Sequence, residues 1–257
     1  MNSKRYRKIL AQLLVCWIFP KHIRKEVRKL LINFSIKEYF YYKNLGYKIV
    51  PLGDFCLPRV VTTVAKLKPY KYYGEKSYPF DLCLHGNMPQ ITECINRKFD
   101  DYIENIVFDE KRKTFVNKKY GARYIHETKM KLPQIKNKYK KRIQNFKNTI
   151  ANKEKIYFIY SNYDFSKYPT NKDVANLYNS LCKIRKGLNF ELILLLPEKI
   201  ENINNPKIKQ IVKDWEPDDG IWVEDFFKTE NQQKVKLTKN KEFYTYLKKE
   251  LTALITK

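Results

Sequence analysis

The chain lacks the sequence signatures of nucleotide-binding enzymes. Only seven of its 257 residues are glycine. Neither the G-x-x-x-x-G-K-[ST] pattern nor the G-x-G-x-x-G pattern occurs, and these are the loops that hold nucleotide phosphates. We therefore expect no bound cofactor.

The cysteines follow no disulfide or zinc pattern. Their number is odd, their spacing is irregular and no C-x-x-C pair occurs among Cys16, Cys56, Cys83, Cys94 and Cys182. Secreted disulfide scaffolds and zinc ribbons need paired, regularly spaced cysteines. The sequence therefore predicts free thiols in a reducing compartment, with no metal site.

A hydrophobic run long enough to cross a bilayer is also missing near the N-terminus. The apolar run there has eleven residues, Ile9 to Phe19, whereas a membrane-spanning helix needs about 20. The first 50 residues hold twelve Lys and Arg against two Glu. We interpret residues 1–45 as a basic amphipathic helical segment whose residues 4–32 bind an anionic membrane surface. An ordinary packed helix and a cleaved signal are the alternatives, although no A-x-A-like cleavage site follows the run.

The net charge of +25 indicates acidic partners. The alternative is that many of the lysines are only solvated surface in a chain rich in Lys, Asn, Ile and Tyr. Anionic lipid, nucleic acid and phosphorylated substrates are the classes that such a charge attracts. Since no recognised nucleic-acid-binding motif occurs, we expect no specific nucleic acid partner.

Residues 46–257 read as one α/β domain. Apolar runs predict strands at 47–51, 155–160, 190–196 and 208–215, with a further strand at 121–126. Helical spacing of apolar residues predicts helices at 58–67, 87–105, 135–150, 173–186 and 241–255. The strand–helix–strand order across 155–196 is typical of parallel strands. We therefore predict a central, mostly parallel sheet flanked by helices and preceded by the N-terminal segment.

Several blocks across 47–165 resemble a family of bacterial proteins, DUF1796, described as papain-like cysteine peptidases. The blocks are VPLGDFC at 50–56, SYPFDLCLHG at 77–86, ITECINRKFDDYI at 91–103, YIHE at 124–127, KYKKRIQNFKN at 138–148 and KIYFIYSN at 155–162. The sequence departs from the family pattern at Leu82, where Trp is usual, and at Glu127, where Asp is usual.

The resemblance implies that Cys56 is a nucleophile and that His126 is its base. Such a pair also needs a third group that orients the imidazole. The order of residues in papain-like enzymes favours Asn162 for this role, whereas the PFD block favours Asp81, and the sequence leaves both open. The alternative is that Cys56 is a small buried side chain and His126 an ordinary residue at a strand end.

The predicted function is a cysteine-dependent hydrolase or acyl-transfer enzyme on the cytoplasmic face of the membrane. Its substrate would be a peptide, an amide or a glycan-linked group. The alternative is a transferase or accessory enzyme of surface-polysaccharide assembly, because residues 4–32 also resemble the leaders of bacterial glycosyltransferases of that kind. A papain-like fold has an antiparallel sheet, which conflicts with the parallel strands predicted across 155–196. We therefore expect the papain-like label to describe the Cys/His pair and not the fold.

Overall fold

The computed structural model describes residues 23–24, 27–28, 34–53, 56–70, 73–81, 87–162, 168–214 and 239–256. The chain divides into two compact units, one comprising Met1–Gly46 with Pro69–Glu75 and the other Tyr47–Lys68 with Lys76–Lys257. Most of the predicted membrane-surface segment, residues 4–32, lies outside the described residues. Within the described ranges, no helix has the length and apolar character needed to cross a bilayer.

The first unit is built around helix α1 (Ile36–Lys43). Ser35 caps this helix by accepting a hydrogen bond from the backbone N–H of Glu38. The hydroxyl of Tyr73 accepts a hydrogen bond from the Ser35 N–H at 3.0 Å and donates one to the Glu38 carboxylate at 2.5 Å. Tyr73 therefore ties the second segment of this unit to the start of α1.

The second unit contains two sheets and five helices within the described residues. In chain order its elements are β1 (Tyr47–Pro51), α2 (Leu57–Val64), α3 (Met88–Asn96), β2 (Ile106–Asp109), β3 (Thr114–Asn117), β4 (Ala122–Arg123), α4 (Leu132–Ile150), β5 (Lys155–Ser161), α5 (Asn171–Arg185), β6 (Phe190–Leu196), β7 (Ile208–Val212) and α6 (Lys239–Ile255).

The central sheet has four parallel strands in the order β1-β5-β6-β7. Parallel neighbours need long crossover connections, and helices of the chain supply them. The predicted α/β class, with a parallel sheet flanked by helices, is confirmed. This central sheet is therefore not the antiparallel sheet of a papain-like fold. A separate three-stranded antiparallel sheet, in the order β2-β3-β4, was not predicted.

Both faces of the central sheet are covered, because alternate residues of its strands point to opposite sides. On the first face, residues such as Val50 and Phe158 pack with apolar residues of α3, α4 and α5. On the second face, residues such as Ile49 and Ile159 pack with apolar residues of α2 and α6. Burial on two faces explains why the strands are nearly continuous hydrophobic runs.

Four predicted elements are shorter in the structure: the helix predicted at 58–67 is Leu57–Val64, the strand predicted at 208–215 is Ile208–Val212, and the other two are changed more. The helix predicted at 87–105 ends at Asn96, and Lys98 and Phe99 adopt left-handed backbone angles with φ of 53° and 64°. This turn brings Phe99 against Phe80 and Phe146, so tertiary packing ends the helix. The strand predicted at 121–126 is reduced to Ala122–Arg123.

Arg185, at the end of α5, is a buried cation that links several loop segments by hydrogen bonds. Its guanidinium donates hydrogen bonds to four backbone carbonyls, those of Ile150, Asn152, Glu154 and Asn189, at 2.6–3.0 Å. Three of these carbonyls precede β5 and the fourth precedes β6, and the Asn189 carbonyl also accepts the N–H of Ile156 at 3.2 Å. One buried side chain therefore links the segments that lead into β5 and β6 through four hydrogen bonds.

Candidate active site

The carboxyl ends of β1 and β5 form the sheet edge that carries two of the predicted site residues. The two strands are adjacent, with Pro51 opposite Ile159, and the N–H of Leu52 donates to the carbonyl of Ile159 at 2.7 Å. Cys56 follows β1 and Asn162 follows β5 directly. Ligands of open α/β sheets bind outside this edge of the strands. The fold therefore brings Cys56 and Asn162 to the same edge.

Gly53 lets the end of β1 pack closely against the start of α2 and the end of β5. A Cβ atom at this position would lie 2.7 Å from Cγ of Pro58 and 2.7 Å from Oγ of Ser161. Both distances are shorter than any real Cβ contact, so only glycine fits without a shift of its neighbours. The close approach sets where α2 begins relative to the end of β5.

Cys56 is the N-cap residue of α2. Its carbonyl accepts a hydrogen bond from the N–H of Val60 at 2.9 Å, and its side chain makes no capping hydrogen bond. The side chain is only 6% exposed and packs in the cluster on the second face of the sheet. Tyr244 of α6 is close to it: burial raises the pKa of the Tyr244 phenol, and the neighbouring Cys56 adds to the increase. The N–H groups at a helix start favour a thiolate, whereas apolar surroundings favour the thiol.

Asp81 is fully buried and is tied to α2. Its Oδ2 lies 3.2 Å from Nη1 of Arg59, three residues after Cys56 in the chain. Its Oδ1 has no hydrogen-bond partner among the described residues. One carboxylate oxygen of Asp81 therefore binds α2 through Arg59. The other oxygen can accept a hydrogen bond from a further donor.

Lys68 is a buried lysine beside this ion pair that the sequence analysis did not single out. Its Nζ donates to the carbonyl of Ile49 in β1 at 3.0 Å and lies 4.4 Å from the centre of the Tyr78 ring. Burial lowers the pKa of Lys68 to about 7, against the opposing effect of Asp81. In a lysine-rich chain, nothing local marks this lysine, because its partners lie far away in the sequence.

His126 lies on an exposed turn after β4, and its position is fixed by its neighbour Glu127. The Glu127 side chain is 1% exposed, and its Oε1 lies 2.7 Å from Nζ of Lys138 and 3.8 Å from Nη2 of Arg142, both on α4. The Glu127 N–H also donates to the carbonyl of Tyr124. The turn that carries His126 is thereby held against α4. Glu127 was noted in the sequence only as a departure from a family pattern.

Cys56 and His126 have different surroundings in the structure. Cys56 packs on the second face of the sheet, whereas Tyr124, two residues before His126, packs in the cluster on the first face. The imidazole makes no hydrogen bond or ion pair with the described part of the chain. Of the four predicted site residues, Cys56 and Asn162 therefore share a sheet edge and Asp81 is linked to α2, while His126 is anchored separately. Across the described ranges, no group of three or more His, Cys, Asp or Glu residues could hold a metal ion.

A family model decides the relationship that the sequence blocks suggested. The model described as "Putative papain-like cysteine peptidase (DUF1796)" matches residues 47–199, more than half of the chain. The chain belongs to the DUF1796 family. A search of curated proteins and a search of solved structures found no match. The DUF1796 match begins with β1, includes all four predicted site residues and extends through β6, beyond the resemblance expected across 47–165.

Proposed function

We propose that the protein is a cysteine-dependent hydrolase or acyl-transfer enzyme with Cys56 as its nucleophile. The observation that carries this proposal is membership of the DUF1796 family over a region that contains Cys56. The place of Cys56 supports it, because this residue begins α2 at the carboxyl edge of a parallel sheet.

In the proposed reaction, Sγ of Cys56 attacks the carbonyl carbon of a peptide, amide or glycan-linked acyl group. The base takes the thiol proton and gives it to the leaving group as the old bond breaks. Water, or an acceptor in the case of acyl transfer, then displaces the thiol. Backbone N–H groups at the start of α2 are suited to stabilise the oxyanion.

We propose His126 as the base and Asn162 as the group that orients it. Asn162 follows β5 at the same sheet edge as the end of β1, and the order of residues in papain-like enzymes favours it for this role. Asp81 is better suited to positioning α2, since one of its oxygens is engaged by Arg59. Catalytic hydrogen bonds are often formed only with substrate bound, so the base would meet the thiol in the complex.

Thiol alkylation tests this assignment without a known substrate. Iodoacetamide is added across pH 5–9, and mass spectrometry follows each cysteine. Cys182 is the internal control, because it is half-exposed whereas Cys56 is buried. We expect Cys56 to react faster than Cys182, and His126→Ala to slow Cys56 alone and to move its pH midpoint upward.

Two results would contradict the assignment. If Cys182 reacts faster than Cys56 at every pH, then Cys56 is not activated. If His126→Ala and Asn162→Ala leave the pH profile of Cys56 unchanged, neither side chain assists it. The alternative, a transferase of surface-glycan assembly, stays a prediction, and it requires glycan structure to depend on the gene even when Cys56 is replaced.

We also propose that the protein works at the cytoplasmic face of the membrane, bound to anionic lipid. Helix α1 supports this proposal, because Ile36, Phe40 and Tyr41 are 68%, 52% and 46% exposed in a part of the chain rich in Lys and Arg. Aromatic and basic side chains together suit the headgroup region. Co-sedimentation with phosphatidylglycerol vesicles should fall severalfold for the double variant Ile36→Gln/Phe40→Gln. Equal sedimentation with phosphatidylcholine vesicles, or no effect of the variant, would count against it.

A further inference from the structure

A basic groove lies against the antiparallel sheet. Its lining residues are far from Cys56 in the sequence. We call it the hairpin groove. It encloses about 380 Å³ and is lined by Arg112, Lys113, Thr114, Arg123, Ile125 and Thr128. Its volume falls in the range of small-molecule sites. Three of its lining residues are cationic and none is acidic, so the groove favours an anion.

The cations of the groove differ in how they are neutralised. Arg112 pairs with Asp109, the last residue of β2, at 2.8 Å, and Lys113 pairs with Glu110 at 3.0 Å within the turn between β2 and β3. Both side chains of the Lys113–Glu110 pair are exposed, and exposed pairs contribute little to stability, so a ligand can compete with this pair. Arg123, in β4, forms no ion pair with the described residues. Its guanidinium therefore has donors available for a ligand.

The groove is held in shape by the sheet that forms its floor. Arg123 stands opposite Val116 in the β3–β4 register, and Oγ1 of Thr114 donates to the carbonyl of Tyr124 at 3.2 Å. Ile125, which follows directly, is 43% exposed and gives the groove one apolar wall. A rigid site loses less entropy on binding than a flexible one.

We propose that the hairpin groove binds the phosphate or carboxylate group of an anionic ligand, with Arg123 as its main anchor. The planar fork of arginine matches both groups in a bidentate geometry. Ile125 would contact the apolar or sugar part of the ligand. Because Ile125 and Thr128 flank His126 in the chain, the bound anion would lie close to the proposed base. The inference itself requires no role for Cys56.

Titrations of the full-length protein with inorganic phosphate and with glutarate test the proposal. They are followed by NMR of the backbone amides of β3 and β4, in wild type and in Arg123→Gln. We expect saturable chemical-shift changes with at least one probe. The dissociation constant should be about tenfold higher in the variant, because the free energy of one charge-assisted hydrogen bond corresponds to about a tenfold change in affinity. The matched control is Lys140→Gln/Lys141→Gln, which removes charge from exposed positions of α4 and should change the constant less than twofold.

Phosphatidylglycerol vesicles distinguish a lipid headgroup from a soluble phosphate as the source of the anion. Vesicle binding that weakens in Arg123→Gln but not in the control identifies the lipid, and unchanged vesicle binding with weaker phosphate binding identifies a soluble ligand.

If neither probe saturates, or if the α4 control weakens binding as much as Arg123→Gln, the groove is no specific site and the proposal is wrong. Arg112→Gln/Lys113→Gln serves as a second variant should Arg123→Gln fail to fold. The measurements involve no turnover, so their outcome is separate from that of the Cys56 assignment.

Discussion

Lys68 is expected to make the stability of the protein depend on pH above neutrality. Burial lowers the pKa of its amine from 10.5 to about 7, because the charged form loses hydration inside the protein. Each pKa unit corresponds to about 1.4 kcal/mol, so the shift amounts to about 5 kcal/mol at most. That value is a large part of the usual stability of a domain.

The sign follows from the protons bound by the folded and unfolded chains. Below pH 7 the amine is protonated in both, and the folded state carries the full cost of burying the charge. Between pH 7 and 10.5 the unfolded chain keeps a proton that the folded chain has released, so the free energy of unfolding rises with pH. Above that range Lys68 is neutral in both states and the cost has disappeared.

The variant Lys68→Met keeps the length of the side chain and removes the titration. It also loses the hydrogen bond to Ile49, a loss that is nearly the same at every pH. The readout is therefore the difference in unfolding free energy between wild type and variant, from urea melts between pH 6 and 10 at fixed ionic strength. We expect this difference to shift by several kcal/mol in favour of the wild type as the pH rises. Lys66→Met, at an exposed neighbouring position, should show no such trend. Parallel curves for wild type and Lys68→Met would show that burial of Lys68 does not lower the pKa of its amine.

Two further substitutions test how the site and the strand entries are held. Gly53→Ala should lower the free energy of unfolding by about 1–3 kcal/mol, because the new Cβ meets Ser161 and Pro58 at 2.7 Å. Adding Ser161→Ala should restore part of this loss of stability. If the stability changes of the two substitutions simply add in the double variant, the contact with Ser161 is not the cause of the loss. Arg185→Met should destabilise by about 3 kcal/mol in thermal or urea melts, since four hydrogen bonds from the buried guanidinium to backbone carbonyls are lost. Arg185→Lys should be intermediate, and a variant as stable as wild type would show that water can replace the guanidinium.

The elements of the central sheet were predictable because each carries its own signal. The strands at 155–161 and 190–196 are apolar on both faces, a pattern that only a sheet covered by helices on both sides accommodates. The sheet β2-β3-β4 was not predictable in the same way. Its first turn contains Lys113 with φ of 49° instead of a glycine or asparagine, and its strands have at most four residues. Short strands joined by an unmarked turn give little periodicity to detect.

The features of the candidate site also differ in whether they could be predicted from local sequence. The family, the parallel α/β class and the position of Cys56 between the first strand and a helix can be predicted without a structure, because each depends on contiguous residues. Three contacts could not be predicted: Cys56 packs with α6, Asp81 pairs with Arg59, and Glu127 anchors the turn of His126. These contacts join residues far apart in the chain. Whether a charge is paired or a thiol is buried depends on which distant side chains the fold brings beside it, and no local pattern encodes that choice.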